Sequence, residues 1–210
     1  MENDIMQMTP EEVILAGLGR GPIDKNRVST MGASAFRKQV IERIPTLPRP
    51  VQDKVKQNMA QMGDKQYFSV VSLSGTATDL LEKNQKSEDG VRNIDDAQID
   101  ENTYFLLQSI SLQYRTGTSG KFDDLLPAAL SEAVWSFKVK NRELFYKNPV
   151  DMFGEPLFGY NSNKPLGTYV LNNPKWIEPN QTLAFEIEDA ASTLSGDVKL
   201  KLIGTEIRTF

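Results

Sequence analysis

The sequence contains neither cysteine nor histidine among its 210 residues. Without cysteine, no disulfide or thiolate chemistry is available, which fits a reducing compartment or an assembly stabilised by contacts between subunits. Without histidine, the chain cannot use imidazole acid–base catalysis, Ser-His-Asp or Cys-His nucleophiles, or histidine-ligated zinc. An enzyme would have to use carboxylate, lysine or tyrosine chemistry instead. We therefore predict a protein that is not an enzyme and that holds no cofactor or metal.

Long apolar runs are also missing from the sequence. No stretch approaches the roughly 20 apolar residues that a helix needs to cross a bilayer. The first nine residues carry Glu2 and Asp4 where a secretory signal would have an apolar core. We therefore expect a soluble protein that is, at first, cytoplasmic.

Charge is distributed unevenly along the chain. The formal net charge is −4, which argues against the whole molecule binding a polyanion. From Gly17 to Asn58, however, nine basic residues stand against three acidic ones, whereas from Gln66 onward 14 basic residues stand against 20 acidic ones. The sequence thus has a basic arm and an acidic body. Such an arm either contacts nucleic acid or anionic lipid or is simply solvated.

Residues 1–65 are predicted to form an N-terminal arm with short helices. Thr9–Glu12 has the pattern of a helix start, with an N-cap, a proline at the first helical position and a capping-box acid. Because the helix is short, its apolar residues must dock on another surface to be stable. We identify Val13, Ile14 and Leu15 as candidate subunit contacts.

The second half of the arm is rich in proline. Ile44–Pro50 contains prolines at a density that favours extended chain, so we interpret it as a rigid spacer, with an SH3-type ligand as the alternative. Val51–Met62 then places apolar residues at helical spacing. The arm is therefore predicted to end in an amphipathic helix just before the body.

Residues 66–210 have the pattern of an antiparallel β-sandwich. Apolar and polar residues alternate, and turn residues separate the alternating segments. The predicted strands include Tyr67–Leu73, Thr103–Tyr114, Trp135–Val139, Leu144–Tyr146, Leu166–Leu171, Leu183–Ile187 and a terminal strand from Val198. Seven or eight strands match a jelly roll or a comparable sandwich. We predict an all-β fold, a single jelly roll, with a partly helical N-terminal arm.

Two strands show features that bear on their position. Thr103–Tyr114 is apolar on both faces, which favours a central strand, and simple alternation puts Leu106 and Ile110 on the same face. In the terminal strand the apolar phase changes near Gly204. A glycine at a phase change indicates a β-bulge, and a frayed terminal strand is the alternative.

A long loop, Pro149–Pro165, encloses several apolar residues. Apolar residues in a loop must cover something, either their own sheet or a neighbouring subunit. We identify Phe153, Leu157 and Phe158 as further candidate subunit contacts.

Acidic pairs and tryptophans are the remaining candidates for a site. The pairs Asp95/Asp96, Asp100/Glu101 and Asp123/Asp124 lack EF-hand spacing, so we interpret them as solvated surface. Trp135, Trp176 and the tyrosines could form a sugar-binding platform, but core or interface packing is the favoured interpretation.

The order of these features resembles that of viral jelly-roll coat proteins. Residues 171–182, Leu-Asn-Asn-Pro-Lys-Trp-Ile-Glu-Pro-Asn-Gln-Thr, followed by Leu183–Ile187 and Val198–Arg208, resemble the closing strands of capsid proteins from tailless icosahedral bacterial viruses. The resemblance covers Asn102 to Phe210. It implies a virion structural protein, made in the host cytoplasm, that self-assembles into a capsid or decorates one.

On this resemblance, the partners would be copies of the chain and other virion proteins. The arm would contact neighbouring subunits or the particle interior, where its charge would meet genome or anionic membrane. The candidate inner-face contacts are Arg20, Lys25, Arg27, Arg37 and Lys38. Deleting Met1–Pro50 is then expected to leave a folded, soluble monomer that cannot assemble. The alternative is a carbohydrate- or receptor-binding β-sandwich of a fibre or adhesin.

Overall fold

A computed structural model describes residues 40–117, 119–122, 125–154, 167–188 and 195–210. These residues form eight strands, two short helices and two 3₁₀ turns, and residues 40–43 are helical as well. The strands are β1 (Ala60–Ser72), β2 (Ala77–Asp79), β3 (Thr103–Arg115), β4 (Val134–Val139), β5 (Arg142–Pro149), β6 (Thr168–Ile177), β7 (Leu183–Glu188) and β8 (Asp197–Thr209). The helices are α1 (Arg49–Lys56) and α2 (Ala128–Glu132), and the 3₁₀ turns are Ile44–Thr46 and Val150–Phe153.

The strands form two four-stranded antiparallel sheets that pack against each other. Sheet A has the order β1-β8-β3-β6, and sheet B has the order β2-β7-β4-β5. The inner faces of both sheets bury a single apolar core. The prediction of an all-β antiparallel sandwich is therefore confirmed.

Aromatic rings occupy the centre of this core. Trp135 is fully buried, and its ring centroid lies 5.1 Å from that of Phe185 in a stacked arrangement and 5.3 Å from that of Phe153. Tyr67 and Phe105 meet edge to face at 5.0 Å. Such ring pairs add roughly 0.5–1.5 kcal/mol each to the free energy gained by burial, so they help to hold the two sheets together.

Strand β3 lies between β8 and β6, which agrees with the two apolar faces seen in its sequence. Its register shifts between Leu107 and Ser109 against both neighbours, so Gln108 is the extra residue of a β-bulge. The inner face carries Phe105, Leu107, Ile110 and Leu112, and the outer face carries Tyr104 and Leu106. The prediction that Leu106 shares a face with Ile110 was wrong, because the bulge reverses the alternation between them.

Strand β8 carries no bulge of its own. It pairs with β1 in unbroken register from Asp197 to Thr209. Gly204 lies opposite Leu107, beside the bulge of β3. A Cβ atom on Gly204 would overlap the backbone carbonyl of Leu106 and lie 3.1 Å from the Phe105 ring. The glycine therefore marks the bulge of the neighbouring strand, to which β8 approaches closely.

The start of β1 was predicted too late in the sequence. The helix predicted to reach Met62 ends at Lys56, and Asn58 follows with a positive φ of 57°, a conformation that ends a helix. Pairing with the last residues of β8 then extends β1 back to Ala60. The boundary placed between residues 65 and 66 consequently falls within this strand.

Replacement of Gly204 by alanine should destabilise the sandwich by about 3 kcal/mol, because the added methyl group meets backbone that cannot move away easily. Urea unfolding followed by tryptophan fluorescence would measure the change. Gly63→Ala on β1 is the matched control, since a Cβ there meets nothing within 4 Å. Equal stability of the two variants would show that β3 and β8 are not in close contact at Gly204.

Candidate functional site

The outer face of sheet A has an apolar half that the chain covers itself. Residues 40–55 lie across this half as a short helical segment, the first 3₁₀ turn and α1. Their buried side chains are Val40, Ile44, Leu47, Val51 and Val55, which pack with Leu106 and Ile207 of the sheet. This cover contributes to stability because it removes a second apolar surface from water.

Hydrogen bonds hold the cover in place. The indole Nε1 of Trp176 donates to the carbonyl oxygen of Arg43 over 3.0 Å, and the guanidinium of Arg43 donates to the side-chain oxygen of Asn173. Gln52 Nε2 donates to the carbonyl oxygen of Leu47 over 2.7 Å. Val40, the first described residue, therefore lies on the outer side of sheet A.

The proline-rich stretch Ile44–Pro50 is consequently not a free spacer. Its prolines occupy the start of the 3₁₀ turn and the first turn of α1, positions where a missing N–H is tolerated. Leu47 between them is buried. The spacer interpretation was wrong, because proline density alone does not show which apolar side chains reach a sheet.

The other half of the same face is charged. Lys199 and Lys201 project from β8, and the Nζ of Lys199 lies 4.7 Å from the centroid of the Phe68 ring. The guanidinium of Arg115 lies 4.3 Å from the Phe122 centroid. Its Nη2 also lies 2.7 Å from Oδ2 of Asp197. Arg115 is thus neutralised locally, whereas neither lysine has a carboxylate partner among the described residues.

The pKa values of Asp197 and Lys201 are shifted by this arrangement. Burial would raise the pKa of Asp197, but hydrogen bonds from Ser72 and Arg115 outweigh it and hold the pKa below its usual value. Burial and the neighbouring Lys199 lower the pKa of Lys201. The Asp197 carboxylate is therefore satisfied, and among the described residues the lysine pair has no carboxylate within ion-pair distance.

The predicted subunit contacts have mixed outcomes. Phe153 is 1% exposed and packs against Trp135, so it covers its own core and offers no surface to a neighbouring subunit. Val13, Ile14, Leu15, Leu157 and Phe158 lie outside the described residues. The same holds for the basic candidates Arg20, Lys25, Arg27, Arg37 and Lys38.

The tryptophans are used for packing. Trp135 is buried, and its Nε1 donates to the sulfur of Met152 over 3.2 Å. Trp176 packs beside the cover of sheet A. Neither indole is available as an open platform for a sugar ring.

Most of the acidic pairs have local partners. Asp95 accepts a hydrogen bond from the backbone N–H of Ser87, Asp96 lies 2.8 Å from Lys86, and Asp100 lies 3.4 Å from Arg208. Asp123 and Asp124 are outside the described residues. Within the part of the chain that the structure describes, no group of three or more acidic side chains is placed to hold a metal ion.

The acidic loop after β2, residues 80–102, protects β1 at the edge of sheet A. Val70 donates its backbone N–H to Val91 over 2.8 Å, and Asn93 donates to the carbonyl of Phe68 over 3.2 Å. Edge strands expose unpaired backbone groups that attract other chains. The loop therefore restricts pairing at β1, a role that its polar sequence did not reveal.

Exposed apolar side chains were not anticipated from the sequence. Met59, Leu125, Tyr146 and Phe210 are the large ones among the described residues. Met59 and Phe210 are neighbours, since the N–H of Phe210 donates to the carbonyl of Met59 over 3.2 Å. Their positions at a strand start and at the last residue leave no alternation that could have identified them.

Comparison with known proteins finds no match, either among protein-family models or among curated proteins. Among the described residues, no helix has both the length and the apolar character needed to cross a membrane.

A chain that starts at Val40 should keep the stability of the full chain, whereas one that starts at Val51 should lose about 3 kcal/mol or more, because Val40, Ile44 and Leu47 would be missing from the cover. Urea unfolding of the two truncated chains would measure this difference. Ile44→Ala in the full chain should cost roughly 2–4 kcal/mol for the same reason. Equal stability of both truncated chains would mean that the cover contributes nothing.

Asp197→Asn should destabilise the protein by about 1–3 kcal/mol at neutral pH, because Arg115 loses its charged partner. A carboxyl with a lowered pKa in the folded state stabilises above its unfolded pKa and loses that effect as the pH falls through the folded value. The difference between wild type and variant should therefore shrink as the pH falls below about 4. Asp64→Asn, exposed on β1, is the control, and a constant difference down to low pH would contradict the assignment.

Proposed function

We propose that the sandwich is a jelly roll. The pairings β1·β8, β2·β7, β3·β6 and β4·β5 are all antiparallel, and in each pair the two strand numbers add to nine. This is the pattern of one long hairpin with four strands on each side. Folding that hairpin over joins β8 to β3 and β7 to β4, which yields the two observed sheet orders. Jelly rolls form capsid and lectin domains among others.

On this fold, we propose that the protein is a virion structural protein that assembles with copies of itself into an icosahedral capsid. The observation that supports this is the cover of sheet A by residues 40–55. The outer face of sheet A is covered by the protein's own chain from Val40 onward, and in the 39 residues before that point the stretch 17–39 carries five basic residues against one acidic residue. Such a segment is long enough to reach a neighbouring subunit or an anionic interior while the sandwich remains a rigid unit.

The proposed partners follow from chemistry. Copies of the chain and other virion proteins would contact the sandwich, and the basic arm would contact genome or anionic membrane, whose charge attracts lysine and arginine. The protein would be located in the virion, with no catalytic role. A lectin-like role would need an exposed platform of several aromatic rings. Trp135 is buried and Trp176 packs against the cover. The exposed large aromatic side chains among the described residues are Tyr146, in sheet B, and Phe210, directly after β8 of sheet A.

Light scattering and electron microscopy of the purified full chain would test this proposal. The expected result is closed shells or symmetric rings, because identical interfaces repeated around symmetry axes close on themselves. The chain that starts at Val40 should remain folded but fail to close shells. A full chain that stays monomeric at high concentration, or that binds on a glycan array, would overturn the proposal.

A further inference from the structure

Two charged side chains form a lysine pair on the outer face of sheet A. Lys199 and Lys201 are two residues apart on β8, so both point to the same face about 7 Å apart. Both are half-buried, and the Lys199 ammonium lies 4.7 Å from the centroid of the Phe68 ring and 5.8 Å from that of Phe122. Two positive charges this close repel each other, so a negatively charged ligand would reduce the electrostatic repulsion between them.

A complementary glutamate pair lies on the outer face of sheet B. Glu186 and Glu188 are two residues apart on β7 and alternate with the buried Phe185 and Ile187, so they share the outer face at the same spacing. Asp79 of β2 lies directly opposite Glu186. Burial, Glu188 and Asp79 all raise the pKa of Glu186, which shows that the negative charge is crowded here.

Basic neighbours only partly offset this negative charge. Lys147 lies 3.4 Å from Glu188, and Lys138 lies 3.2 Å from Glu143 of β5. Within the described ranges, Glu186 and Asp79 have no ion pair. The centre of the face therefore remains negative.

The two pairs cannot meet within one molecule, because the outer faces of the two sheets point in opposite directions from the core. We propose that they meet between molecules: the lysine pair of one copy binds the glutamate pair and Asp79 of the next. The occupant is a second copy because the complementary charges have the same spacing along a strand. The contact is heterologous, so its repetition gives rings or open stacks.

The inference deepens the proposed function, since it specifies one contact through which copies associate. Electrostatic complementarity determines register and partner choice more than affinity, so reversing both charges of one pair should block the contact. Screening by salt should weaken it as well, because the charged groups are only half-buried.

The test uses four full-length variants: Lys199→Glu/Lys201→Glu, Glu186→Lys/Glu188→Lys, the combination of all four changes, and Lys83→Glu/Lys140→Glu. The last is the matched control, since Lys83 and Lys140 are exposed outside both faces and the charge change equals that of the first variant. Circular dichroism and thermal unfolding would establish that each is folded. Sedimentation and light scattering at low and high salt would then measure self-association.

Each face variant alone should self-associate at least about 100-fold more weakly than wild type, because like charges would face each other across the contact. A mixture of the two face variants should associate again, since each then offers the face that the other lacks. The four-change chain should associate with itself for the same reason. The control should behave like wild type.

The outcomes separate this inference from the proposed function. Shells that form equally well from the Lys199→Glu/Lys201→Glu variant would overturn the face-to-face contact and leave the capsid role standing. Salt-sensitive stacks that obey the charge reversals but never close would support the contact and contradict the capsid role. A monomeric wild type would overturn both.

Discussion

Strand β8 is the element on which the rest of the sandwich depends. It pairs with β1 along all 13 of its residues and with β3 on its other side. Its inner face supplies Val198, Leu200 and Leu202 to the core. Since β1 and β8 lie at opposite ends of the described sequence, sheet A cannot close until the last residues of the chain are in place. Folding is therefore dominated by contacts between distant segments, which are slow to form.

The sequence was informative where each strand follows a simple alternation. The positions of β4, β5, β7 and β8, the central position of β3 and the two-sheet architecture could be predicted, because a half-buried strand requires a period of two. The strand predicted as Leu166–Leu171 was ended too early, since β6 continues to Ile177 and its burial does not alternate regularly. The absence of histidine and cysteine limits the side-chain chemistry available to the chain to groups such as carboxylate, lysine and tyrosine. What alternation cannot reveal is which strands are neighbours, so the sheet orders required the structure.

The errors share one physical cause, which is contact between segments far apart in the sequence. The bulge at Gln108 in β3 and the glycine at position 204 in β8 are each explained only by the neighbouring strand. The prolines of Ile44–Pro50 are typical of a spacer. Only the structure shows that this segment covers the apolar side chains of Leu106 and Ile207. The pairs Lys199/Lys201 and Glu186/Glu188 occupy outer positions of alternating strands, and alternation alone does not show on which sheet's outer face each pair lies.

The outer positions of β8 fall into two groups, one that the domain needs for folding and one that is available for association. In order they are Lys199, Lys201, Ile203, Thr205 and Ile207, a change from charged to apolar along a single face. The apolar end must be covered for the domain to be stable, and residues 40–55 do so within the chain. The charged end needs no cover to fold, because the half-buried lysines keep their ammonium groups in contact with water. A partner that binds there therefore contributes to association without being required for the monomer, which is the property that a reversible assembly contact needs.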